Sequence, residues 1–204
     1  MFKIILALCF CCAANLVAQD TLATVTANIT GPEINDEWFD ECFGCDCSLG
    51  CDVGWEVSAS SALKPEAGNS YEVGNLDDLR AKTAWIEGHA DYGIGEYILY
   101  KFPKRLFVGL DSANWGGFII MNGYFKSEKI WAANSRVKTF KMYHNDKPVC
   151  YVKLHDSMSG QDVKFAKPIY LKREDEIKLE IFEVYPGTKY KDTAISALIL
   201  MGAH

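Results

Sequence analysis

Residues 83–102 read TAWIEGHADYGIGEYILYKF, residues 118–145 read FIIMNGYFKSEKIWAANSRVKTFKMYHN, and residues 183–196 read EVYPGTKYKDTAIS. Each stretch sets a short apolar or alternating run beside a cluster of aromatic, amide and charged side chains. In 136–143, Val137, Phe140 and Met142 alternate with Lys138, Lys141 and Tyr143, with one break near Thr139. In 176–184, Ile177, Leu179 and Ile181 alternate with Lys178, Glu180 and Phe182. A period of two puts one set of side chains on a buried face and the other in water. Many such short runs with turn residues between them mark an all-β sandwich or barrel.

Outward from these stretches, further strands are expected at 55–59, 97–102, 107–110, 117–121, 148–154, 162–165 and 194–201, and one at 21–29. Helical signal is confined to a turn or two at 76–81 and 126–133. The expectation for 55–201 is a two-layer antiparallel sandwich of about eight core strands.

The N-terminus reads as a secretory signal peptide. Met1-Phe2-Lys3 is a positive start, 4–14 is apolar, and Ala18 offers a small residue at the exit. The expected organisation is a signal peptide at 1–18, a cysteine-rich lead-in at 19–54 and a sandwich domain at 55–204, in a secreted or periplasmic protein. No second apolar run reaches the length of a membrane span. The formal charge is -6, and -7 once Lys3 is removed. Its lysines are interspersed with carboxylates, which argues against nucleic acid as a partner.

Five cysteines follow the signal peptide. Cys42, Cys45, Cys47 and Cys51 crowd into CFGCDCSLGC, and Cys150 stands alone in an apolar run. Export favours disulfides. A four-thiolate zinc site is the competing reading, with a spacing poor for zinc because no second pair lies downstream. Cys150 is either a buried thiol or the partner of one of the cluster.

The clusters between strands carry Tyr71, Trp85, Tyr92, Tyr124, Trp131, Tyr185 and Tyr190 together with amides and charges. Aromatic faces stack on sugar C–H groups, and planar polar side chains bond hydroxyls. Glu87, Glu96, Asn122, Tyr124, Lys126, Arg136 and Lys189 all fall at strand ends or in loops. They are expected to gather at one end of the sandwich, with Tyr124 under a pyranose and Asn122, Glu87 and Arg136 on its hydroxyls.

Several segments carry a family resemblance: 59–71, 84–88 (AWIEG), 93–96 (GIGE), 122–124 (NGY), 134–138 (NSRVK) and 185–196. Together they resemble the NADase-type glycan-binding domain, the translocation domain of NAD glycohydrolase, within the discoidin/coagulation-factor type C superfamily. Residues 47–51 (CSLGC) also resemble a segment that often precedes this domain. The resemblance spans 57–200. It implies a galactose-binding-like jelly-roll β-sandwich and a carbohydrate- or cell-surface-binding role, without the NAD-hydrolysing domain, so no enzyme and no cofactor. Superfamily members often hold calcium in a loop Asp-Gly-Asp-x-x-Thr-x-Trp, completed by a Glu near the C-terminus. Here the loop is Asp78-Leu79-Arg80-Ala81-Lys82-Thr83-Ala84-Trp85, and Ala197 stands where the Glu would be. The lost acids and glycine predict no calcium.

Two other readings stand beside the binding module. One is an envelope or adhesion scaffold with no small ligand. The other is a glycoside hydrolase using Glu87 and Glu96 as paired carboxylates, with His89 nearby.

Overall fold

The computed structural model describes residues 22–30, 49, 53–107 and 109–202. Among these, eleven strands form two sheets. They are β1 (Ala23–Thr26), β2 (Asn28–Ile29), β3 (Glu56–Ala59), β4 (Trp85–Ile86), β5 (Tyr97–Lys101), β6 (Ser112–Asn122), β7 (Arg136–His144), β8 (Lys147–Lys153), β9 (Gly160–Lys172), β10 (Glu176–Tyr185) and β11 (Ala194–Gly202). One sheet runs β1-β8-β7-β10-β5-β3 and the other β2-β9-β6-β11-β4. A short helix, α1 (Glu128–Ala133), follows β6.

The inward phase of each strand supplies the core. Phe118 and Ile120 of β6, Phe140 and Met142 of β7, and Leu179 and Ile181 of β10 are fully buried. They join Ile98, Tyr100, Trp85 and Trp115 in one cluster between the sheets. Each such side chain contributes about 1.5–3 kcal/mol by leaving water. The β7–β8 hairpin turns at Asn145 and Asp146, both with positive φ, as a two-residue loop of matching twist requires.

The structure departs from the expected layout in four places. The run at 21–29 is two strands. Ala27, buried between them, donates its N–H to Lys153 O at 2.9 Å, and the chain crosses there from one sheet to the other. The 22–30 part of the lead-in is thereby an edge of the sandwich. β1 pairs with β8 in parallel, so the sheets are not wholly antiparallel. Among the described residues of 107–110 the only pairing is a bridge from Phe107 to Val53. β9 is longer than 162–165, and its register against β6 shifts beside Gly117, which accommodates Pro168 further along the strand.

The four cysteines at 42–51 and the signal segment lie outside the described residues. Cys150 is a free, buried thiol on the inner face of β8, and burial pushes its pKa up to about 11. A thiol held so far above neutral stays protonated and unreactive.

Candidate functional site

At one end of the sandwich the loops enclose an open cleft of about 340 Å³. Its walls are Tyr71, Tyr124 and Tyr190, with Leu63, Ile86 and Ile130 beneath them and Glu66, Asn134 and Asp192 supplying polar groups. Three segments build it.

The first is the turn 66–71. Glu66 and Asn69 exchange backbone hydrogen bonds across it. Asn75 Nδ2 donates to Ser70 O at 2.9 Å and to Ala84 O at 2.8 Å, tying the turn to β4. Tyr71 then meets Tyr124 edge to face, with centroids 6.3 Å apart.

The second is the passage from β6 into α1. Gly123 has φ +112, and a Cβ there would lie 2.5 Å from the Trp131 indole. Only glycine allows this approach, which lets α1 fold back while Tyr124 packs, largely buried, against Tyr71 and Ile86 in the cleft wall. Ser127 caps α1 by accepting from Ile130 N at 3.3 Å.

The third is the loop 187–193, which closes the C-terminal end of α1. Thr188 N donates to Ala132 O, and Lys189 N and Tyr190 N both donate to Ala133 O, at 2.8–3.1 Å. Carbonyls left without helical partners are satisfied in this way, and Tyr190 and Asp192 are held opposite Tyr124.

The electrostatics leave polar atoms free. Among the described residues, the side-chain carboxylates of Glu66 and Asp192 accept no hydrogen bond and form no ion pair. Asn134 donates through Nδ2 to Ile130 O at 2.9 Å, which leaves its Oδ1 open. Burial, and then Tyr71, hold the Tyr124 phenol above its ordinary pKa of 10, so it remains a donor. Tyr190 keeps 41 % of its surface exposed. The cleft therefore offers aromatic faces, two carboxylate acceptors, an amide oxygen and phenol donors.

The seven residues singled out from the sequence divide into two groups. Tyr124 forms a wall, and Lys126 and Lys189 stand at the rim. Lys126 Nζ donates to Asn69 Oδ1 at 2.7 Å and lies 6.0 Å from the Tyr124 centroid. Lys189 Nζ donates to the Tyr190 hydroxyl at 2.6 Å. The other four are spent on the scaffold. Asn122 is buried, donating to Val137 O at 2.7 Å and accepting from Val137 N at 3.0 Å. Arg136 is buried against Trp131, donates through Nε and Nη2 to the two carboxylate oxygens of Asp156, and donates through Nη1 to Asn134 O at 2.7 Å. It positions the Asn134 backbone. Glu96 accepts from the hydroxyls of Ser60 and Ser61.

Glu87 is 0 % exposed, accepting from His89 N at 2.7 Å and Thr193 N at 3.1 Å. Gly93 lies directly over it, with positive φ and room for no Cβ, which would sit 2.5 Å from Glu87 Cγ. Burial raises the Glu87 pKa despite the two backbone donors, with Asp192 and Glu96 adding to the rise. A carboxyl sealed under a glycine and bonded to two backbone N–H groups has no open face for a glycosidic oxygen. That geometry weighs against the paired-carboxylate reading.

Glu66, Asn134 and Asp192 were not among the candidate residues, and Tyr71 and Tyr190 counted only as loop aromatics. A signal was available: counting by twos from buried Phe118 and Ile120 puts Asn122 inside, and from Trp85 puts Glu87 inside.

The loop at 78–85 does not fit a calcium ion. Asp78 accepts from Thr83 Oγ1 at 2.8 and 3.0 Å and from Arg80 N at 3.0 Å. Ala81 and Ala197 pack with Met121, Phe125 and Ile199 in a small apolar cluster where further oxygen ligands would be needed. Among the described residues no group of three His, Cys, Asp or Glu is placed to hold a metal.

Residues 50–201 match the family model of the NAD glycohydrolase translocation F5/8 type C domain. No curated protein sequence matches the chain. Several solved structures are similar in fold. The CBM32-1 and CBM32-2 domains of Clostridium perfringens ZmpB superpose with a TM-score of 0.57 at 11% identity, over 92% of this chain and 43% of that one. The chain thus spans less than half of that two-module structure, which has also been solved with GalNAc. The family 32 module of C. perfringens NanJ, in complex with galactose, gives 0.52 at 14% identity over 76% of this chain and 97% of that one. The family 32 module of Streptococcus pneumoniae EndoD gives 0.52 at 13% identity over 74% and 98%.

Proposed function

We propose a function on the premise that this chain belongs to the NAD glycohydrolase translocation F5/8 type C domain family and has its galactose-binding-like jelly-roll sandwich. It is a non-catalytic module that binds a glycan in the end cleft. The observation that carries this reading is the cleft itself. Three tyrosines face one opening that also holds two unpaired carboxylates and an amide oxygen.

A pyranose presents an apolar C–H face and a ring of hydroxyls. Tyr190 offers the exposed surface for the first, with the largely buried Tyr71 and Tyr124 forming the wall beside it, and Glu66, Asp192 and Asn134 offer acceptors for the second. Carboxylate acceptors form the stronger, charge-assisted bonds. Their rigid placement by β4, α1 and the 187–193 loop limits the entropy lost on binding. Structural neighbours crystallised with galactose and GalNAc make these sugars the first ligands to try. The module acts outside the cytoplasm, exported by residues 1–18, and the oxidised cysteine cluster at 42–51 staples its lead-in.

A glycan-array screen of the mature chain tests this reading. Binding to a defined set of glycans, competed by the free sugar, is the expected result. A flat array together with unchanged intrinsic tyrosine fluorescence on adding those sugars would leave the cleft without a sugar-binding role.

A further inference from the structure

Of the asparagines in the chain, only Asn28 has a hydroxyl residue two places on, in Asn28-Ile29-Thr30, and the residue between them is not proline. This is the acceptor pattern for an N-linked glycan in an exported protein. A triplet this short also arises by chance, so its place in the fold decides what it can carry.

β2 is the edge strand of its sheet and is hydrogen-bonded, among the described residues, to β9 alone. Asn28 stands opposite Asp162, and Asp162 stands opposite Ile119 of β6. Directly opposed residues share a face. Ile119 alternates with the core residues Phe118 and Ile120, so this face is the outer one. Asn28 is exposed there, and among the described residues its carboxamide has no hydrogen-bond partner.

Thr30 N donates to Gly160 O at 2.9 Å and so continues the ladder by one residue. Two places on in an extended chain, Thr30 falls on the same side as Asn28. It too is exposed, with its hydroxyl unengaged among the described residues. Ile29 between them is 51 % exposed. By contrast, Asn122 is buried with its amide bonded both ways to Val137, and it lacks the second hydroxyl residue.

We infer that Asn28 carries an N-linked glycan. The inference rests on the export proposed for residues 1–18, because the transferase works in the lumen that an exported chain enters. There the Asn28 carboxamide nitrogen attacks the first sugar carbon of a lipid-linked diphospho-oligosaccharide. A C–N bond forms, the C–O bond to the diphosphate breaks, and the lipid diphosphate leaves. The proton lost from nitrogen passes to a base of the transferase, and nothing is oxidised or reduced. The fold then has to hold the product without strain, which an unpartnered amide on the outer face of an edge strand does. The same bulk flanks the exposed Ile29 and obstructs pairing of a second chain along the open side of β2.

Mass mapping of the full chain isolated from the cells that make it, before and after peptide:N-glycosidase, tests this. The peptide containing Asn28 should carry hexose and N-acetylhexosamine mass, and enzymatic release should leave the asparagine-to-aspartate mass change at position 28. Expressed in the same cells, Asn28→Gln and Thr30→Ala should each lose the glycan completely, while Thr30→Ser should keep it. All three positions of substitution are exposed, so the variants should melt close to the parent, and loss of the glycan is then not loss of the fold. A secreted parent without a glycan at Asn28, or a glycan that survives Asn28→Gln, would overturn the inference and leave export standing. A parent retained in the cytosol would overturn both.

Discussion

Leu79 shows how a residue can keep a backbone its side chain disfavours. It sits at φ 58 with its side chain largely in solvent, at the place where the resembling calcium loop has glycine. Left-handed backbone costs a branched side chain roughly 1 kcal/mol. Leu79→Gly should therefore raise stability, or at worst leave it level, by a net few tenths to about 1 kcal/mol in urea titrations. A clear loss would mean that Leu79 contributes packing which the loop needs.

Asp175 is the residue whose ionisation matters most to the β7–β10 corner. Burial alone would raise its pKa, but Asn145 Nδ2, Lys172 N and His144 bond its two oxygens and hold it below the usual 3.8. A lowered folded-state pKa means stability that is present above 3.8 and lost as pH falls through the folded value. Asp175→Asn should cost roughly 1–3 kcal/mol near neutral pH. The gap between parent and variant should close as the pH is taken below 3.8. A gap that stays constant with pH would show that the carboxylate charge is immaterial.

At the scale of elements, the strands were legible because their alternation is strong. Runs such as 136–143 and 176–184 read almost as they fold, and the turn of helix at 126–133 became α1. What alternation could not give was the split of 21–29 between two sheets, since the crossing depends on β8 and β9 lying alongside. Nor could it separate Asn122, Arg136 and Glu87 from ligand contacts. A polar residue at a strand end looks the same whether it bonds a backbone N–H or a ligand, unless the strand phase is counted. The tyrosines of the cleft were visible as loop aromatics; their convergence depends on loop 187–193 docking on α1.

The passage from β6 to α1 makes this dependence testable. Gly123→Ala would force a Cβ into Trp131 at an unfavourable φ. It should destabilise by roughly 1–3 kcal/mol and weaken any glycan bound in the cleft, because Tyr124 and Asn134 flank the displaced turn. Gly74→Ala, with nothing within 4 Å, is the control and should be near neutral in both. Equal behaviour of the two variants would remove the link between this turn and the cleft.

For the whole molecule, the sandwich core and the end cleft draw on different residues. The two sheets bury the main core, while the loops at one end hold the exposed Tyr190 and the unpaired carboxylates of Glu66 and Asp192. The buried Glu87, Asn122 and Arg136 belong to the scaffold, which explains why polar residues so near the cleft are unavailable to it. Among the described residues no helix is long and apolar enough to cross a membrane.

The central claim is that sugar binds in the end cleft. The most direct measurement is the backbone amide chemical-shift map of the mature chain titrated with its best glycan from the array, repeated with Tyr190→Ala. Shifts should cluster at residues 63–71, 86, 124–134 and 187–193, and the variant should bind at least several-fold more weakly, as expected for roughly 1 kcal/mol of lost aromatic contact. Shifts confined to another surface, or a folded Tyr190→Ala that binds as tightly as the parent, would contradict it.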